Sequence, residues 1–138
     1  MTPDQHSVLE AWLKDFLRGQ GGVAGTVHVT ENDGLDLAAA VNIPPPVIQA
    51  VTRVPRGKGM AGLAMERDQP IQTCNLKDDA SGVVRPGAKA VDAQAAVAMP
   101  VHDAGGRVRA VVGIAFAHER EFSAAEIEAL SKVAEGLP

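Results

Sequence analysis

The chain of 138 residues has a single cysteine, Cys74, no tyrosine and only 3% aromatic residues. One cysteine can form neither an intramolecular disulfide nor a metal site built from several thiolates. No apolar run is long enough to cross a bilayer, and the first residues include Asp4 and Glu10 with no apolar signal-peptide core. The sequence therefore predicts a cytoplasmic protein without a membrane segment.

Basic side chains are too few and too scattered for a nucleic-acid surface. The 13 Lys and Arg residues are outnumbered by 17 Asp and Glu residues, which gives a net charge of −4. Because nucleic-acid binding needs clustered Lys and Arg, we expect no contact with DNA or RNA. Apolar residues make up 46% of the chain, so a single domain over residues 1–138 can bury a full core of Val, Ala, Leu and Ile.

Amphipathic helices are predicted at both ends of the chain. Thr2-Pro3-Asp4-Gln5 offers an N-cap, a proline at the first helical position and a capping-box glutamine. Apolar residues then recur with helical spacing from Leu9 to Leu17. Ser123 and Glu126 form a second capping box ahead of an apolar stripe that runs to Leu137.

Two β-hairpins are predicted, each with turn residues between its apolar runs. Asn32-Asp33-Gly34 separates residues 23–30 from residues 35–41, and a Gly-Gly turn separates residues 93–101 from residues 108–116. In the second hairpin both alternating sets of residues are apolar or small, which indicates strands covered on both faces. We expect this hairpin at the centre of the sheet, with the terminal helices on one face. Short helices, loops and a pocket are expected on the other face.

A glycine-rich segment, residues 54–76, contains a Gly-x-Gly-x-x-Gly pattern at residues 57–62 that fits the dinucleotide-binding fingerprint. That fingerprint requires a buried parallel strand before it and a helix of several turns after it. Pro55 cannot donate a hydrogen bond in such a strand, and Pro70 stops the following helix after about two turns. We therefore interpret the segment as a turn, a short helix and a strand from Ile71 to Cys74.

This order of turn, short helix, break and strand resembles the central segment of GAF domains. The end of the chain is similar too, with Met99-Pro100-Val101, a glycine-containing turn, Val111-Val112-Gly113-Ile114-Ala115, and Phe122-Ser123 before the last helix. The resemblance covers nearly the whole chain. It implies an α/β (α+β) fold with a central antiparallel sheet of five to six strands, terminal helices that mediate dimers, and a ligand enclosed between the sheet and short helices.

The resemblance implies a stand-alone sensory domain rather than an enzyme. GAF domains bind cyclic nucleotides, tetrapyrroles, haem or small metabolites. The Asn-Lys-Phe-Asp-Glu motif of cyclic-nucleotide-binding members is missing, and the surroundings of Cys74 do not resemble a chromophore-attachment site. We expect no cofactor and no metal, but a small cytoplasmic ligand bound non-covalently. No kinase, phosphodiesterase or helix-turn-helix sequence follows Pro138, so the signal is expected to leave through a homodimer or a separate output protein.

The candidate ligand-binding residues are His28, Cys74, Asp79, Arg85 and Met99. Several of them have a plainer alternative. His28 can be a strand-surface histidine, Cys74 a small core residue, and Asp79 a turn or capping residue. Arg85 is either solvated or a cationic lid over an anionic ligand, because its fork geometry suits carboxylates.

Histidines offer no shared metal site in this sequence. His102 adjoins the turn of the second hairpin and His118 follows the end of its other strand. The rise of a β-strand places the two about 30 Å apart. They therefore cannot bind one metal together.

Two other functions remain open. One GAF family reduces free methionine-R-sulfoxide with cysteines, but Cys74 has no resolving cysteine in the chain, and no catalytic residue is assigned. The other alternative is a ligand-free dimerisation module. Trp12 and Phe16 are the candidate dimer contacts, because they give the first helix more apolar surface than packing on the sheet is expected to use.

Overall fold

A computed structural model describes residues 2–73 and 94–138. Cys74, Asp79 and Arg85 lie outside these residues, so three of the predicted ligand contacts have no described position. In chain order the elements are α1 (Pro3–Gln20), β1 (Ala24–Glu31), β2 (Gly34–Val41), α2 (Pro45–Val51), β3 (Arg53–Pro55), α3 (Gly59–Arg67), β4 (Ile71–Thr73), β5 (Ala95–His102), β6 (Val108–Phe116) and α4 (Ala124–Ala134). In this part of the chain, no helix has the length and apolar character needed to cross a membrane.

The strands form one six-stranded sheet in the order β3-β2-β1-β6-β5-β4. Every pair is antiparallel. The β1–β2 hairpin turns at Asn32 and Asp33, whose φ angles of 47° and 59° are positive, as a tight two-residue turn requires. The β5–β6 hairpin lies in the interior of the sheet, with β1 on one side and β4 on the other. Its predicted central position is confirmed.

The terminal helices begin as the sequence predicts. The Thr2 and Ser123 side chains each accept a hydrogen bond from the backbone N–H three residues on, and both capping boxes are complete. Both helices pack on one face of the sheet. The main core lies between them and the sheet, and its fully buried members include Leu13, Val27, Val97, Met99, Val101, Val112 and Ile114.

The opposite face of the sheet is covered by α2 and α3. Val47 of α2 and Ala64 of α3 are buried there, in two smaller apolar clusters with residues of β1, β2, β5 and β6. The β5–β6 hairpin is therefore covered on both faces, as its apolar alternation predicts. The layer of short helices also positions the cavity described below.

The glycine-rich segment serves the packing of α3. Val54 and Pro55 belong to a three-residue edge strand that pairs antiparallel with β2, so the parallel strand of a dinucleotide site is not what precedes the glycines. A Cβ on Gly62 would lie 2.5 Å from the Pro55 carbonyl oxygen. Glycine at this position therefore lets α3 lie directly against β3.

Candidate ligand-binding cavity

A cavity of about 150 Å³ lies between the sheet and the two short helices. Its size is similar to that of engineered apolar cavities that bind one benzene molecule. Strands β1, β5 and β6 form the floor, and α2, α3 and the segment before α2 form the other walls. The residues that line it are Ala24, Gly25, Thr26, His28, Ile43, Val47, Val51, Val54, Lys58, Gly59, Met60, Ala61, Ala96, Val97, Ala98, Gly113, Ile114 and Ala115.

Small residues at aligned positions leave room for the cavity. Ala115 of β6 pairs with Ala24 on one side and Ala96 on the other. One step along the same face, Gly113 pairs with Thr26 and with Ala98. No side chain in these two cross-strand rows is larger than threonine, so the floor is low where the helices pass over it.

Strands β5 and β6 present larger side chains to the other face of the sheet. Met99 and Val112 alternate with the small residues, are buried in the main core and do not line the cavity. Because successive side chains of a strand point to opposite faces, one alternation builds the core on one face and the cavity on the other.

His28 is the most distinctive polar residue of the cavity wall. Its side chain is 2% exposed, and its Nε2 lies 2.9 Å from the Val51 carbonyl oxygen. A carbonyl only accepts hydrogen bonds, so Nε2 carries the proton and Nδ1 of the neutral ring presents a lone pair. That buried Nδ1 has no hydrogen-bond partner among the described residues.

The protonation state of His28 is set mainly by burial. Desolvation lowers the pKa of His28 below its usual value, against the opposing effects of the Val51 hydrogen bond and the Asp36 charge. The imidazole is therefore neutral near pH 7. His28 therefore contributes a neutral ring to the cavity lining, and its buried Nδ1 is an acceptor without a partner among the described residues.

The described residues that line the cavity carry a net positive charge. Lys58 is the only one of them with a full charge, and no Asp or Glu is among them. Lys58 is exposed, which places it at the mouth, and it forms no ion pair within residues 2–73 and 94–138. Lys58 also precedes α3, whose first residues Gly59, Met60 and Ala61 line the cavity and whose N-terminus has no side-chain cap. The free N–H groups of a helix N-terminus favour anions.

Of the predicted ligand contacts, His28 lies at the cavity and Met99 does not. Met99 is fully buried in the main core, on the face covered by α1 and α4. The expectation for Met99 is therefore not supported by its position. Side chains alternate between the two faces of β5, and Met99 lies on the same face as Val97 and Val101, opposite to Ala98.

The predicted dimer contacts differ in exposure. Phe16 is only 4% exposed and belongs to the main core, so it does not present a free apolar surface. Trp12 is partly buried and stacks on Phe16, with ring centroids 5.0 Å apart. The large apolar residues that are exposed on the terminal helices are instead Val8, at 52%, and Val133, at 43%.

Sequence reasoning missed the contribution of Lys58 and the role of His102. Lys58 falls inside the Gly-x-Gly-x-x-Gly pattern, and its place just before a predicted short helix is the signal that points to it. The His102 Nε2 lies 2.5 Å from Asp68 Oδ1, and its Nδ1 lies 2.8 Å from Glu135 Oε1. Hydrogen bonds to Asp68 and then to Glu135 raise the pKa of His102 above its usual value. His102 therefore connects the end of α3 with the residue that follows α4.

Comparison with known proteins supports the resemblance to GAF domains. A family model for the GAF domain matches residues 2–137. A sequence comparison with curated proteins finds no match. Solved structures, in contrast, share the fold at low sequence identity.

Two sulfoxide reductases and a GAF domain of another enzyme illustrate the structural similarity. A type II free methionine-R-sulfoxide reductase from Thermoplasma acidophilum is 18% identical with a TM-score of 0.74, covering 96% of this chain and 89% of its own. The GAF domain of an Acinetobacter phosphoenolpyruvate-protein phosphotransferase is 16% identical with a TM-score of 0.74, covering 96% and 81%. A free methionine-R-sulfoxide reductase from Neisseria meningitidis, solved with its substrate, is 18% identical with a TM-score of 0.64, covering 97% and 83%. At these identities the similarity shows the fold, and with the family match over residues 2–137 the chain belongs to the GAF domain family.

Proposed function

We propose that this GAF domain is a sensor that binds a small ligand non-covalently in the cavity between the sheet and the short helices. The observation that carries the proposal is the floor of Ala24, Ala96, Gly113 and Ala115, which keeps space open beneath α2 and α3. Protein interiors are normally filled to crystal-like density. A cavity of this size beneath two short helices is therefore better explained by an occupant than by the needs of folding.

Native mass spectrometry of freshly purified protein tests the proposal. We expect an additional mass from a co-purified small molecule on the wild-type chain. In Ala115→Leu the longer side chain should fill the floor and abolish that mass. Ala117→Leu, at an exposed position just after β6, is the matched control and should keep it. A bound mass that Ala115→Leu retains would place the ligand elsewhere and contradict the proposal.

Reduction of free methionine-R-sulfoxide is the second candidate, supported by the similarity to two such reductases. Cys74 is the only cysteine of the chain. A lone thiolate that attacks the sulfoxide becomes a sulfenic acid and needs an external thiol to be reduced again. We therefore propose that the chain is not an enzyme.

An activity assay separates the two functions. Wild-type protein with methionine-R-sulfoxide and a dithiol reductant should give no methionine above the no-protein control. If Cys74 is a small core residue and not a ligand contact, Cys74→Ser should bind the same co-purified molecule as wild type. Turnover by wild type that Cys74→Ser lacks would establish the reductase in place of the sensor.

A further inference from the structure

We propose that Asp68, His102 and Glu135 form a proton-controlled clasp, in which the charged imidazole ties the end of α3 to the end of α4 and the neutral imidazole releases α3. Helix α3 covers the cavity face of the sheet and α4 covers the opposite face. His102 is the last residue of β5 and contacts the ends of both helices. The clasp goes beyond the proposed function and does not depend on it, because its parts lie outside the cavity lining.

Both carboxylates of the clasp lie at the C-terminal end of a helix. Asp68 is the residue that follows α3, and Glu135 is the residue that follows α4. A helix C-terminus carries a partial negative charge, so a carboxylate is unfavourable there and a cation is favourable. The charged ring of His102 contacts both carboxylates and therefore compensates both helix ends. Its side chain is 32% exposed, so solvent protons reach it.

The geometry of the ring requires two protons. The His102 Nδ1 lies 2.8 Å from Glu135 Oε1, and its Nε2 lies 2.5 Å from Asp68 Oδ1. A carboxylate only accepts hydrogen bonds, and only the charged imidazole has an N–H on both nitrogens. A neutral ring can donate to one of the two carboxylates, and its other nitrogen presents a lone pair to the second. Loss of one proton therefore breaks one of the two links.

The link to Asp68 is the one that breaks, because Glu135 has a second partner. The backbone N–H of His102 donates to Glu135 Oε1 at 3.2 Å and lies 3.4 Å from Oε2. Within residues 2–73 and 94–138, the Asp68 carboxylate has no hydrogen-bond partner other than His102 Nε2. The remaining ring proton therefore stays on Nδ1 with Glu135. The Nε2 lone pair then faces the Asp68 carboxylate, and this repulsive contact releases the end of α3.

The neighbouring charges act less directly on the ring. Arg109 of β6 donates from Nε to the His102 carbonyl oxygen at 3.3 Å, so its charge lies on the backbone side and opposes that of the imidazole. Arg67 and Lys132 lie in the last turns of α3 and α4, and neither forms an ion pair in the part of the chain that the structure describes. Asp103 accepts backbone hydrogen bonds within its own turn.

The two carboxylates determine the direction of the pH dependence. The hydrogen bond to Asp68, followed by that to Glu135, raises the pKa of His102 above its usual value of 6.5. The clasp is therefore closed at mildly acidic pH and opens as the pH rises through this higher pKa. Because the first residues of α3 line the cavity, release of its other end would loosen one wall of the candidate ligand site at alkaline pH.

NMR of isotope-labelled wild-type protein from mildly acidic to mildly alkaline pH tests the clasp. Correlations of the ring nitrogens report the protonation and the tautomer of His102. We expect a pKa above 6.5 and a neutral ring that carries its proton on Nδ1. Hydrogen-exchange protection of the last turn of α3, residues 64–67, should fall about fivefold as the ring loses its charge, the effect of one partly exposed ion pair. Protection of α4 should change less, because Glu135 keeps its partners.

Three variants and one control assign the pH step in α3 to the clasp. His102→Gln and Asp68→Asn keep polar side chains but remove the titrating link, so the protection of α3 should no longer fall with rising pH. Glu135→Gln leaves Asp68 as the only carboxylate on the ring, so the neutral ring should carry its proton on Nε2 and the step should also disappear. Glu128→Gln is the matched control, because it removes the same charge from an exposed position of α4 outside the clasp. It should behave as wild type.

The possible outcomes separate the clasp from the proposed function. A neutral wild-type His102 with its proton on Nε2 would overturn the release of α3, and so would protection of α3 that does not change with the charge of the ring. A pH step that survives in His102→Gln would overturn the clasp by assigning the step to another group. None of these measurements uses a ligand, so failure of the clasp leaves the cavity as the candidate ligand site. If His102→Gln does not fold, the tautomer and the exchange of wild type still decide.

Discussion

The two best-defined histidines of the fold respond to protons in opposite directions. His28 is buried and has no carboxylate partner among residues 2–73 and 94–138, whereas His102 lies between Asp68 and Glu135 at the surface. Burial favours the neutral imidazole, and the carboxylates favour the charged one. Each difference between the folded and unfolded pKa makes stability depend on pH.

For His28 the folded pKa lies below the reference value of 6.5. The unfolded chain therefore takes up the proton first as the pH falls, and the free energy of unfolding should decrease from about pH 6.5 down to the folded pKa. Urea denaturation of wild type and His28→Gln between neutral and mildly acidic pH measures this. The variant should lose less stability over that interval. An identical acid slope in both proteins would contradict the neutral, buried histidine.

For His102 the folded pKa is raised above 6.5. Its stabilisation is therefore complete below the unfolded pKa and is lost as the pH rises through the folded value. Because the cluster is partly exposed, we expect a contribution of no more than about 1 kcal/mol. His102→Gln should remove the decline in stability above pH 6.5, and Glu135→Gln should reduce it. A wild-type slope that survives in His102→Gln would assign that decline to other groups.

At the scale of elements, strands β5 and β6 contribute to stability through the side chains on one face and to the ligand cavity through those on the other. Met99→Ala deletes a fully buried side chain from the core face and should lower the free energy of unfolding by about 2–5 kcal/mol. Ligand affinity per folded molecule should stay unchanged, because Met99 does not line the cavity. Ala115→Leu should show the reverse pattern. Denaturant titrations paired with native mass spectrometry compare them, and a Met99→Ala protein that folds but releases its ligand would contradict the division between the faces.

The same strands show how far the sequence predicts the site. Alternation of apolar and small residues predicts that both faces of the hairpin are covered, and the capping boxes predict the start of both terminal helices. Which face encloses the cavity depends on where α1 and α4 pack, and local periodicity does not specify that. Side-chain volume carries this information, because Ala96, Ala98, Gly113 and Ala115 lie on one face of the strands and Met99 lies on the other. The edge strand β3 has only three residues, too few for a periodic signal.

At the scale of the whole molecule, dimerisation through the terminal helices stays a prediction. The structure points to other contact residues than Trp12 and Phe16. Phe16 is used inside the monomer, and Trp12 packs against the same core, so Trp12→Glu would disturb folding as well as association. Val8 of α1 and Val133 of α4 are exposed on helices that cover the same face of the sheet. Exposed apolar residues on one face are better candidates for a contact with a second copy of the chain.

Sedimentation velocity on wild type and three variants tests this surface. Wild type should sediment at twice the chain mass of 14.3 kDa. Val8→Glu should shift it toward the monomer, because a carboxylate at a dimer contact would be desolvated without a partner. Val23→Glu is the matched control, since Val23 is also an exposed large apolar residue, at 37%, but lies in the loop before β1. A dimer that tolerates Val8→Glu and Val133→Glu alike would place the interface away from these helices. Wild type that stays monomeric at high concentration would leave a separate output protein as the route by which binding in the cavity is transmitted.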